Sequence, residues 1–126
     1  MNVVFITMDG ARADCIINGY NYKNLISQGI FFSKVIAYAP FTIAAMHAVF
    51  SGTYGFKNGV NSYWSSPKFK HKLYKPIPLY MKDAGYATYG DSINSLILPS
   101  DGFDELNIHD ELHDNLTERH KSDRKS

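Results

Sequence analysis

With a single cysteine, Cys15, the chain cannot close a disulfide on itself and cannot build a cysteine-rich metal cage. It also lacks any apolar run near the ~18 residues that a membrane-spanning helix requires. No basic segment followed by a small-residue cleavage site surrounds Val3-Val4-Phe5-Ile6, so no secretory signal is visible. A cytoplasmic protein is expected if the chain start is genuine, and a targeting segment outside this sequence is the alternative. Charge of one sign is missing too. A net charge of +1 gives no strong field of either sign, and nucleic acid is not an expected partner. No internal repeat is present.

What the sequence does have is material for a core. Hydrophobic residues make up 44% of it and aromatics 14%, which sets it apart from disordered chains. Its 126 residues suit one domain. Residues 2–8, NVVFITM, are short, β-branched and bounded by Asp9-Gly10, the pattern of a strand buried on both faces. Residues 21–28 read as a short helix capped by Gly29. Residues 30–37, IFFSKVIA, suit a second strand. After Pro40, Thr42 opens a run of good helix formers that stops near Gly52, which puts Thr42 at or next to a helix N-cap. Residues 53–75 are loop-like. Residues 76–84 read as a helix with prolines at its start and Gly85 at its end, and 86–90 as a third strand. This order predicts an α/β fold with a mainly parallel sheet. Leu106, Leu112 and Leu116 could share one helix face, and Lys121–Ser126 reads as a polar, frayed end.

Two residues carry the chemistry. Asp9 directly follows a strand-like run, and ligands of open α/β sheets bind at the carboxyl ends of strands, where a carboxylate can hold a divalent cation. Taken alone, Asp9-Gly10 is equally an ordinary turn. Thr42 at a helix N-terminus faces unpaired amides and the positive end of the dipole. Such a position favours a phosphate or sulfate, and favours an alkoxide over an alcohol. A bound metal would activate that hydroxyl further. Taken alone, Thr42 is also a routine capping residue.

Together, and in order, these segments resemble the sulfatase and alkaline phosphatase superfamily. NVVFITMDGARAD is similar to its opening strand and metal loop, with Asp9, Arg12 and Asp14 at the charged positions. APFTIAAMHAVFSGTYGFKNGV resembles the nucleophile helix and the loop after it. Registering Ser51-Gly52 and Gly59-Val60 on the usual ending puts Thr42 at the nucleophile. KPIPLYMKDAGYATYGDS and GFDE, Gly102 to Glu105, extend the resemblance to about residue 105.

The resemblance implies an alkaline-phosphatase-like three-layer sandwich, of which 1–107 would form the N-terminal portion and 108–126 a charged segment, partly helical and then frayed. It implies a metal-dependent hydrolase or transferase acting on small-molecule phosphate or sulfate esters. Thr42 would be the nucleophile and a metal contact, Asp9 a metal ligand, and Arg12 a substrate contact. The implied cofactor is a divalent metal, zinc first, with calcium or manganese as alternatives.

Departures from the pattern narrow this. Thr42 cannot be converted to the formylglycine of true sulfatases. Met46 replaces an arginine, Gly10 the second aspartate of a pair, and Asp91 a lysine. A threonine nucleophile points to the phosphodiesterase, phosphonate-hydrolase and phosphoethanolamine-transferase branches. The remaining metal ligands of the family lie in a later part of a longer domain, so an incomplete domain, inactive by itself, is expected. That missing part would be its partner. Asp110 and His113 could share a helix face, but a charged, solvated helix explains them as well. His47 reads as a packing or surface residue. Two rivals remain: a non-catalytic fragment that has lost the metal site, and an unrelated α/β domain with a structural Asp-Gly turn and cap.

Overall fold

The computed structural model describes residues 1–109 and divides into two units, residues 1–36 and 37 onward. The expected Asp110–His113 pair, Leu112, Leu116 and the polar end lie outside the described residues.

The first unit contains two helices, α1 (Ala13–Ile16) and α2 (Tyr20–Ser27). The second helix falls close to its expected place. Its last turn closes by hydrogen bonds from the Gln28 amide to the Leu25 and Ile26 carbonyls. Residue Tyr22 meets Phe31 edge-on at 6.4 Å. No residue of this unit is fully buried.

The second unit is organised by α3 (Thr42–Ser51). Ile43, Ala44, Met46, His47 and Phe50 are buried, a spacing that gathers them on one face of a 3.6-residue period. The helix ends at Gly52, whose φ of 63° is the left-handed conformation that commonly stops helices. The chain then turns through α4 (Gly55–Asn58) into a 3-10 turn at Ser66–Lys68.

Asn58, fully buried, fastens this turn. Its amide donates to Ser51 Oγ at 3.0 Å and to the Thr53 carbonyl at 3.1 Å, and its Oδ1 accepts from the Val60 amide at 2.8 Å. A buried amide so satisfied contributes stability, whereas an unsatisfied one would cost ~1–3 kcal/mol. At Gly59 the φ of 98° and a would-be Cβ only 2.2 Å from the Lys68 carbonyl oxygen leave room for glycine alone. These close approaches seat Val60 and Phe69 against Ile43 and Ala44, which together form the core cluster. Each large side chain there contributes ~1.5–3 kcal/mol by leaving water.

Helix α5 (Ile77–Asp83) begins at Pro76 and Pro78, which fit a first turn whose amides lack intrahelical partners. Beyond it β1 (Tyr89–Ser92) pairs in parallel with β2 (Glu105–Ile108), Tyr89 opposite Glu105. A polar latch sets this pairing. The Thr88 amide donates to Asp104 Oδ2 at 2.9 Å, and the Thr88 hydroxyl donates to the Gly102 carbonyl at 2.6 Å. Lys82 of α5 reaches Asp104 Oδ1 at 2.5 Å. The Lys82 ammonium first, and then the Thr88 bonds, hold the Asp104 carboxyl down at about 2.

The expected sheet-dominated three-layer sandwich is therefore wrong for this structure. Among the described residues helix far outweighs strand, and their only sheet is the open pair β1–β2. Residues 2–8 and 30–37 form no strand, and Val4, Ile6, Val35 and Ile36 are exposed. A β-branched apolar run signals that burial would be favourable. It does not supply the neighbouring backbone that a strand needs for its ladder. The third expected strand does form, shifted to Tyr89–Ser92, and Leu106, read as helical, lies in its partner.

Candidate active site

Thr42 is the first residue of α3, and Phe41 before it is the N-cap. Phenylalanine has no side-chain acceptor, so α3 starts without a side-chain cap. The amides of Thr42, Ile43 and Ala44 have no acceptor among the described residues, and the first amide bonded back into the turn is Ala45 to the Phe41 carbonyl at 3.3 Å. Thr42 itself is half-buried, and its hydroxyl makes no hydrogen bond among the described residues. The helix thus presents a free hydroxyl beside three free donors at its positive end, a geometry suited to a tetrahedral anion.

The surroundings of this end are aromatic. The Phe41 ring lies 6.2 Å from Tyr63, and Tyr63 meets Trp64 edge-on at 4.7 Å. Behind it, His47 is 1% exposed. Its Nδ1 lies 2.9 Å from the Ile43 carbonyl, which can only accept, so Nδ1 carries the proton. Nε2 then accepts from the Ser66 hydroxyl at 3.2 Å. Burial pushes the imidazole below its ordinary value, with His71 adding to the effect. A neutral, enclosed imidazole bonded at both nitrogens is a strut between α3 and the Ser66–Lys68 turn. It is a packing residue, as expected, and it has no open nitrogen for a reacting group.

Asp9 sits in an exposed turn. Its Oδ1 accepts from the Gly10 amide at 2.9 Å, and Gly10 has a φ of 67°. Arg12 is committed to its neighbour: Nε and Nη2 donate to the two oxygens of Asp14 at 3.0 and 2.5 Å. This fork raises the guanidinium pKa and lowers that of Asp14. Both side chains are exposed. Asp9, Arg12 and Asp14 belong to residues 1–36, whereas Thr42 belongs to the other unit.

The sulfatase family model matches residues 1–125 of this sequence. The chain belongs to the sulfatase family. No curated protein and no solved structure matches it. Membership makes it a hydrolase of the sulfatase superfamily and sets aside the unrelated α/β domain. Among the described residues no group of three or more His, Cys, Asp or Glu is placed to hold a metal ion. None of the described helices is long and apolar enough to cross a membrane.

Two features of this sulfatase-family chain escaped the sequence. The His47–Ser66 contact joins residues nineteen apart, and the Phe41–Tyr63 contact joins a capping residue to the middle of a long loop. Local pattern carries no signal for either. The richness of the loop in aromatics was the only hint.

Proposed function

We propose that this sulfatase-family hydrolase acts on phosphate or sulfate esters with Thr42 as the nucleophile. The observation that carries the reading is the N-terminus of α3: a hydroxyl and three amides, all without a partner among the described residues, at the positive end of a ten-residue helix. In the reaction, Thr42 Oγ bonds to the phosphorus or sulfur as the ester oxygen leaves, the threonine proton passes through solvent to the departing alcohol, and water then cleaves the Thr42 ester to release the acid. Negative charge on the non-bridging oxygens is met by the amides of Ile43 and Ala44 and by the helix dipole.

Charge distribution supports an anionic substrate. From Cys15 to Lys82 the chain has lysines and no aspartate or glutamate. Lys57, Lys68, Lys70 and Lys72 are exposed and have no carboxylate partner among the described residues. A net charge near zero thus conceals a positive stretch, whose field favours anions.

Asp9 is proposed as one ligand of a divalent metal, zinc or alternatively calcium or manganese. Its Oδ2 has no bond among the described residues, consistent with a single ligand position. The described residues hold no three-ligand set, so further ligands would come from outside residues 1–109, and no step is derived through the metal. Arg12 as a substrate contact would require release from Asp14. A threonine nucleophile favours phosphoryl transfer over formylglycine-dependent sulfate hydrolysis.

The test is Thr42→Ala in the complete enzyme. Turnover should vanish while metal content, read by elemental analysis, stays unchanged. Retained turnover would remove the nucleophile assignment. Asp9→Ala should lower metal content, and unchanged stoichiometry would remove Asp9 as a ligand.

A further inference from the structure

We infer that the surface around α4 docks onto an anionic phospholipid bilayer, through the rings of Tyr38, Tyr54 and Phe56 and the charges of Lys57, Lys68 and Lys70. Helix α4 follows the C-terminal end of α3, and the surface uses no residue of the Thr42 reading. The two readings therefore stand or fall separately.

The rings form a ladder. Tyr54 stacks with Tyr38 at 5.2 Å and with Phe56 at 5.9 Å, at interplanar angles of 26° and 28°. All three stay open to solvent, Tyr54 at 58% and Phe56 at 64%. The support beneath them is tight. A Cβ at Gly55 would stand 2.9 Å from the Tyr38 hydroxyl and 2.2 Å from the Val60 carbonyl oxygen. The Lys57 and Asn58 amides both donate to the Tyr54 carbonyl, at 2.9 and 3.0 Å. A phenylalanine held in water on such a turn gains by entering the boundary between headgroups and acyl chains. Tyrosine, with an apolar body and a polar tip, suits the same boundary.

The fold brings positive charge to this turn. Lys57 adjoins Phe56 in α4. The Lys70 amide donates to the Asn58 carbonyl at 2.9 Å, and the Lys68 carbonyl and the Lys70 side chain both border Gly59. Three lysines from two parts of the loop thus meet at one turn. All are exposed, and none has a carboxylate partner among the described residues. Gathered like charges repel one another, and a negative lipid surface relieves that repulsion. A single-stranded nucleic acid would answer the charge as well. It binds by laying bases on open ring faces, whereas these rings turn their faces toward one another. Edges and hydroxyls are what the ladder offers, and these match headgroups.

The test is co-sedimentation of the full chain with phosphatidylcholine vesicles, with and without phosphatidylserine. The chain should pellet with the mixed vesicles, come off as salt rises, and stay in solution with phosphatidylcholine alone. Lys70→Gln should weaken binding roughly fivefold, the share of one lysine near such a surface. Phe56→Ser should weaken it roughly tenfold. Both replace exposed residues, so far-UV circular dichroism should match the wild type; Lys68→Gln repeats the charge test at a second position. Ile36→Ser, at a position 96% exposed in the other unit, should bind like the wild type. Equal pelleting with and without phosphatidylserine, or none with either, overturns the surface. A loss in Ile36→Ser as large as that in Phe56→Ser overturns it too, because the apolar runs of residues 1–36 would then carry the binding. Unchanged binding in Phe56→Ser, with a single-stranded oligonucleotide displacing the vesicles, overturns the bilayer in favour of nucleic acid.

Discussion

Residues 1–36 and residues 37–109 are both rich in apolar side chains, and they differ in where those side chains end up. In the first unit Val3, Val4, Phe5, Ile6, Ile30 and Phe32 are exposed and nothing is fully buried. In the second, Ile43, Ala44, Val60 and Phe69 close on one another, and half-buried Phe41, Tyr74, Leu96 and Ile97 pack around them. The difference lies in enclosure. Helix α3 supplies a face with apolar residues at helical spacing, and the tight turns at Gly52 and Gly59 fold a second layer back onto it. Residues 1–36 offer two short helices and two extended runs, with no second layer among them to shut out water. Apolar composition supplies the driving force for burial, and only geometry lets a chain use it.

The sharpest way to break this comparison is to truncate matched residues. Ile43→Ala, at a position 5% exposed, should lower the unfolding free energy by about 2–5 kcal/mol in urea denaturation. Ile36→Ala, at a position 96% exposed, should change it by less than about 0.5 kcal/mol. Equal effects would mean that the extended run of the first unit is buried in solution.

A smaller effect concerns acid. Burial depresses the His47 pKa below its ordinary 6.5, so the unfolded chain binds a proton that the folded one refuses. Stability should therefore fall as pH drops below 6.5 and level off once the folded imidazole protonates. Melting midpoints measured across this range should decline more gently in His47→Gln than in the wild type. Parallel declines would remove His47 as the cause. The Asp104 latch acts in a separate window. Its carboxyl is depressed from 3.8 to about 2, so its contribution is intact above 3.8 and is lost as pH falls through about 2.

The smallest effect belongs to the first unit. The Arg12–Asp14 fork is exposed at both ends, and solvent screens it. Arg12→Ala should leave the melting midpoint within experimental error. A clear drop in melting midpoint would show that the fork holds structure.

Much of the helical layout was legible in the sequence. Thr42 next to an N-cap, the stop at Gly52, and the prolines and Gly85 around α5 are local signals, because caps and turns depend on φ/ψ preferences that each residue carries with it. The strands at 2–8 and 30–37 were misread, because strand formation depends on a neighbour and a local pattern holds no information about one. The pairing of β1 with β2 was missed for the same reason, since its register is set by Thr88 and Asp104, sixteen residues apart. For the candidate site, family membership and the position of Thr42 could be read along the chain. The enclosure of His47 and the ring path from Phe41 to Trp64 could not.

By itself, then, the sequence determined the family, the helix that begins at Thr42, and the positive stretch from Cys15 to Lys82. These follow from residue identity and near-neighbour spacing. Tertiary structure alone decided which apolar runs are buried, that His47 is a neutral strut, and that Tyr63 and Trp64 lie beside the free end of α3. Those outcomes depend on contacts between residues far apart in the chain, and such contacts exist only after the turns between them have closed.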